Sequence, residues 1–129
     1  MIIAVEFDGT IVKNTYPDIG EEVPFALESL KMLQKEGIRV ILWTSRHGDH
    51  LEEAISYCRK RGLEFYAVNK NFPEEDSEAK VSRKIVADLY LDARNLGGLP
   101  PWGVIYQTLV AKKKPKPKGF WSLFKWKNG

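Results

Sequence analysis

Cysteine occurs once in the 129 residues, at Cys58, so no internal disulfide can brace the chain. The fold must rest on its own core, and the length allows one domain with a sizeable interior. Cys58 falls on the apolar side of a predicted helix, where a buried, inert thiol is expected. No apolar run approaches the ~18 residues of a membrane-spanning helix. The first residues enter an apolar run with no charged leader and no cleavage site, so the expected compartment is the cytoplasm. Only two histidines are present, His47 and His50. They show no metal-ligand spacing and are expected at the surface. Acids are missing altogether after Asp92.

That last absence exposes an asymmetry in charge. Residues 112–129 hold seven lysines and no acid, and the remaining 13 basic and 17 acidic residues give the body a charge of −4. The overall +3 is a property of the tail and does not argue for a nucleic-acid-binding body. Composition thus divides the chain into a domain, 1–111, and a basic aromatic tail, 112–129.

What is present alternates between two periods. Ile2, Ile3, Ala4 and Val5 are apolar without alternation, as in a strand covered on both faces. A turn-rich stretch to Pro24 suits a loop or hairpin. Apolar residues at 26, 27, 30 and 33 then repeat at helical spacing, and Gly37 closes the run. "IRVILWTS" reads as a second buried strand. A helix with apolar positions 51, 54, 55 and 58 follows, with Asp49 and Glu52 spaced as a capping box and Gly62 at its end. "LEFYAV" suggests a third strand, residues 80–86 a short helix, "ADLYLD" a fourth strand and "VIYQTLVAKKK" a last helix. Strands alternating with helices predict a parallel sheet with crossover connections.

In such sheets ligands bind beyond the carboxyl ends of the strands. Three strand ends carry chemistry: "EFDGT" at 6–10, "WTS" at 43–45 and "LDARN" at 91–95. Glu6 and Asp8 lie one residue apart, an arrangement that costs free energy unless a cation or a proton lies between them. Their convergence with hydroxyls and Asp92 on one edge is more informative than any one motif.

Those three ends, in that order, resemble the haloacid dehalogenase superfamily of phosphohydrolases. "EFDGT" looks like its first motif, Asp-x-Asp-x-Thr; Thr44 looks like the second, and Lys84 in "SRKIVADLYLD" the third, with Lys80 less favoured. Asp92 looks like the fourth. The resemblance spans residues 1 to about 106 and implies a three-layer α/β/α sandwich without a cap domain. It further implies a Mg²⁺-dependent phosphomonoesterase acting on a phosphorylated substrate through a covalent acyl phosphate. Position 6 would hold the nucleophile, Asp8 the general acid and base, and Thr44 and Lys84 the phosphoryl oxygens. Glu6, Asp8 and Asp92 would hold the metal.

Two residues depart from that pattern. Glu6 replaces the nucleophilic aspartate, and one methylene shifts a carboxylate by about 1.5 Å where ~1 Å can cost ~100-fold. A longer acid there could also imitate a phosphorylated aspartate. Ala93 stands where many relatives have a second acid. The expectation is an impaired phosphohydrolase, or alternatively a non-catalytic binding protein that uses the remnant site or the tail.

Blander readings stand beside each residue. Asp8 and Gly9 could form a plain turn, and Thr44 and Ser45 could cap the next segment. Lys84 could be a solvated helix lysine. Arg46 and Arg94 could bind an anionic substrate or pair with surface acids. Trp43 and Trp102 suit packing. In the tail, Phe120, Trp121, Leu123, Phe124 and Trp126 are too apolar for a solvated segment. Packing on protein, whether the body, a second copy or a partner, is favoured there over a membrane surface or nucleic acid.

Overall fold

The computed structural model of the chain describes residues 1–76 and 83–113. Strand β1 (Ile2–Val5) leads to a hairpin of β2 (Val12–Thr15) and β3 (Asp18–Glu22). Helix α1 (Ala26–Lys35), strand β4 (Arg39–Leu42), helix α2 (Gly48–Lys60), strands β5 (Ala67–Val68) and β6 (Leu89–Leu91) and helix α3 (Trp102–Lys113) complete the order. β1, β4, β5 and β6 form a parallel sheet in the order β5-β4-β1-β6. β2 and β3 form a separate antiparallel pair, as the turn-rich stretch suggested.

β1 lies inside the sheet, which explains its unbroken apolar run. Ile3 and Val5 enter the larger core with Val40 and Leu42, while Ala4 packs with Ile41, Ala67 and Ile85 on the opposite side. The larger core takes Leu27, Leu30 and Leu33 from α1, Ala54 and Cys58 from α2, and Ile105 and Leu109 from α3. Truncating a fully buried leucine such as Leu30 to alanine costs about 2–5 kcal/mol.

The 3.6-residue spacing of α1 is realised, with Ala26, Leu27, Leu30 and Leu33 all buried. Its start is set from outside the helix. Phe25 occupies the N-cap with no side-chain cap bond, and the Leu27 N–H donates instead to Glu22 Oε2 at 3.2 Å. An acid there also suits the positive end of the helix. Gly37, at φ +84°, lets the chain leave α1 and return to β4.

Several boundaries differ from the sequence reading. α2 begins at Gly48, one residue before Asp49, after an extended His47 that makes no side-chain cap bond, so the Asp49–Glu52 capping box does not form. The third strand is confined to Ala67–Val68, and Leu63, the first residue of "LEFYAV", packs in the larger core just after α2. Of the helix expected over 80–86, residues 83–86 are not helical, and residues 80–82 lie outside the described ones. α3 runs to Lys113, two residues past the compositional boundary. Lys80 and the aromatic part of the tail also lie outside the described residues. Among the described residues no helix is long and apolar enough to cross a membrane.

Candidate functional site

β1 ends where the apolar run ends. The Glu6 N–H still pairs with Leu91 O at 3.0 Å, and the backbone then curls so that the N–H groups of Thr10, Ile11 and Val12 all donate to Phe7 O. Gly9, at φ +90°, permits the curl, and its N–H donates to Val12 O at 2.7 Å. Phe7 turns into the core against the edge of Tyr57, leaving Glu6 and Asp8 on the rim. Thr10 is fully buried: its Oγ1 accepts from the Ala93 N–H at 2.9 Å, and its carbonyl accepts from Trp102 Nε1 at 3.1 Å. The threonine of "DGT" thus pins the turn to the segment after β6 and to α3.

Glu6 is 5% exposed. Its Oε1 accepts from the Phe7 N–H at 2.9 Å, and the Thr44 hydroxyl is a further hydrogen-bond partner. Burial raises its pKa above the ordinary 4.5, although those two bonds and Arg94 act against the shift. Thr44 itself is held by Asn69, whose Oδ1 accepts from the Thr44 N–H at 2.9 Å, and Thr44 Oγ1 accepts from the Arg46 N–H.

Asp8 is held differently. Both its oxygens accept from Arg46, Nε to Oδ2 and Nη2 to Oδ1, each at 2.7 Å. Arg46 is 1% exposed and also donates to the carbonyls of Pro17, Asp18 and His50. Its guanidinium lies 5.1 Å from the Phe7 ring centroid and 5.0 Å from that of Tyr16. One buried cation therefore ties the β1 turn, the hairpin tip and the start of α2 together.

Arg94 serves the other two acids. Its Nη2 donates to Glu6 Oε2 at 3.2 Å and to Asp92 Oδ2 at 3.1 Å, while its Nε and backbone N–H reach Asp92 Oδ1. Burial pushes the Asp92 pKa up, but the Arg94 bonds outweigh it and hold the group below its ordinary value. The Arg94 side chain is 72% exposed.

Glu6 and Asp8 face one cavity of about 280 Å³, closed by Asn14, Tyr16, Ser45, Ala93 and Arg94. Glu6, Thr44 and Asp92 therefore come together at the ends of adjacent strands. Asp8 joins them at the cavity but is committed to Arg46. Lys84 does not line this cavity; its Nζ lies 5.1 Å from the Tyr90 ring centroid. Trp43 packs against the edge of that same ring, and Trp102 is buried, both as packing residues.

A divalent cation at this rim would find oxygen donors of the right chemistry. It would also find each of those six carboxylate oxygens already accepting from a protein N–H, with the Arg94 guanidinium between Glu6 and Asp92. Among the described residues no group of three or more His, Cys, Asp or Glu side chains is disposed to hold a metal ion. Sequence reasoning assigned Arg46 and Arg94 only loose roles and overlooked Asn69. The available signal was position, since each arginine stands two residues after a motif residue at the same sheet edge.

A solved structure, that of the conserved protein coded by a locus of Bacteroides thetaiotaomicron, is similar to this chain at 59% identity and a TM-score of 0.82. The match covers 88% of this chain and 93% of that one. No family model matches the chain, and no curated protein matches it.

Proposed function

We propose that this chain, which belongs to the same family as that Bacteroides thetaiotaomicron protein, carries a phosphoryl-transfer site of the haloacid dehalogenase type that is impaired as it stands. The three-layer, capless arrangement of that superfamily is part of the same reading. The observation that supports it is the meeting of Glu6, Thr44 and Asp92 at the ends of β1, β4 and β6, with Asp8 on the same cavity.

In this reading a Glu6 oxygen attacks the phosphorus of a phosphate monoester, and the ester O–P bond breaks. Asp8 supplies the proton to the departing oxygen and later takes one from the water that hydrolyses the acyl phosphate. Thr44 steadies the phosphoryl oxygens, with Lys84 assigned to the same task by its motif alone. By the motif, Glu6, Asp8 and Asp92 would hold Mg²⁺, which supplies charge neutralisation for the phosphoryl group when bound. Two features slow this sequence. The Glu6 carboxylate lies one methylene further out than an aspartate would, and both Asp8 oxygens are engaged by a buried guanidinium and so turned from the departing oxygen.

Hydrolysis of p-nitrophenyl phosphate in Mg²⁺ tests the reading. The natural chain is expected near background, and Glu6→Asp is expected to gain about 100-fold, the scale of a ~1 Å correction. Turnover absent from Glu6→Asp and from Glu6→Asp/Ala93→Asp would rule out a phosphohydrolase. The Asp8–Arg46 clamp favours a second reading, a binding protein that holds phosphate without turning it over. Phosphate binding with inactive variants would select it.

A further inference from the structure

The Glu6 cavity has a neighbour. A second cavity, of about 470 Å³, is walled by Val23, Phe25, Leu99, Pro101 and Trp102, and it shares Gly9 and Ala93 with the first. Its volume falls within the usual range for small-molecule sites. The two cavities therefore border the same glycine and methyl group, which form the low partition between them.

Phe25 is the unusual member of this wall. It leaves 66% of its surface in water and adopts φ +65°, a left-handed backbone that non-glycine residues seldom take. Both features cost free energy, and strain of this kind gathers at sites of ligand contact. The opposite wall is firm. Trp102 is 1% exposed and bonds through Nε1 to Thr10 O, while Thr10 Oγ1 holds the Ala93 N–H. The boundary between the cavities is fixed from the protein side, and the exposed Phe25 belongs to the lining of the second cavity.

We propose that this second cavity is a subsite for the apolar, ring-sized organic group of a phosphate monoester whose phosphoryl end lies in the Glu6 cavity. The assignment rests on the phosphoryl-site reading given above. Its added content is the substrate class: an ester of an aromatic or similarly bulky apolar alcohol, in preference to a small polar one. Adjacency across Gly9 and Ala93 selects this occupant, because an apolar group placed there lies one small-residue partition away from the acid-rimmed cavity.

Calorimetric titration of the full chain in Mg²⁺ with two non-hydrolysable probes tests the subsite. 1-Naphthylmethylphosphonate is expected to bind at least about tenfold tighter than methylphosphonate, the scale of burying one ring. Phe25→Ala is expected to remove most of that ratio while leaving methylphosphonate unchanged. Phe25→Asn, which suits a left-handed backbone, is expected to do the same without loss of folding. Val104→Ala, an exposed apolar residue outside the cavity wall, is expected to leave the ratio intact. Equal affinity for the two probes would overturn the subsite and leave the phosphoryl-site reading standing. A preference that survives both Phe25 variants would overturn the location. Binding of neither probe would overturn the subsite together with the reading beneath it.

Discussion

Arg46 and Arg94 each neutralise acids at the same sheet edge, but they do so from different surroundings. Arg46 has no side-chain exposure, meets Asp8 through two 2.7 Å bonds and satisfies three backbone carbonyls besides. Arg94 leaves 72% of its side chain in solvent and shares itself between Glu6 and Asp92 at 3.1–3.3 Å. The buried pair holds architecture, because removing one partner strands the other charge away from water. The second set is more exchangeable on its cation side, since the long Arg94 side chain lies mostly in water and keeps much of its freedom, while Glu6 and Asp92 are themselves buried. One half of the cavity is thus fixed and the other can rearrange.

The sharpest way to break this comparison is to remove the buried cation. Arg46→Met is expected to cost about 3–5 kcal/mol in urea unfolding, because Asp8 and three carbonyls lose their donor. Adding Asp8→Asn should recover part of the loss, since the stranded charge is then gone. A single-variant cost below about 1 kcal/mol would show that Arg46 does not hold the hairpin to the body.

Much of the frame behind these pairs was legible in the chain. Ile2–Val5, the α1 spacing and the "DGT" turn each follow from local periods or backbone preferences, and each is found where local reasoning put it. Features set by distant partners were not legible. Asp8 and Arg46 stand 38 positions apart, and a hydroxyl-rich strand end does not announce which carboxylate the following arginine will meet. α2 starts without its expected capping box because His47 and Gly48 set the turn before Asp49 can act. The Asn69 amide on Thr44 comes from a residue at φ +53° after the two-residue β5, a position with no periodic signature. Tertiary geometry decides such contacts, so sequence could place the rim but not its pairing.

The Arg94 set offers a gentler test. Arg94→Gln is expected to change unfolding stability by less than about 1 kcal/mol. The same change should tighten Mn²⁺ binding, read by electron paramagnetic resonance, by about fivefold, the scale of ~1 kcal/mol between unit charges ~4 Å apart in water. The gain should vanish on adding Asp92→Asn, because the ion and the guanidinium then no longer compete for that carboxylate. Equal Mn²⁺ affinity in the natural chain and Arg94→Gln would mean that Arg94 and the metal use different oxygens.

The smallest expected effect separates the two acids that Arg94 shares. Glu6 has a folded pKa raised above 4.5, chiefly by burial, so the unfolded chain ionises first as pH rises. Its ionisation therefore lowers stability between 4.5 and the folded value, and above that value the loss is complete. Asp92 runs the other way. Its folded pKa lies below 3.8, so the stability it contributes is present above 3.8 and disappears as pH falls through the folded value. Glu6→Gln should consequently gain on the natural chain as pH rises from 4.5, while Asp92→Asn should lose least at the acid end. Denaturant melts across that range check both slopes. Parallel curves for the natural chain and Glu6→Gln would mean that burial does not govern Glu6, and the contrast between a desolvated acid and a paired one would fall with it.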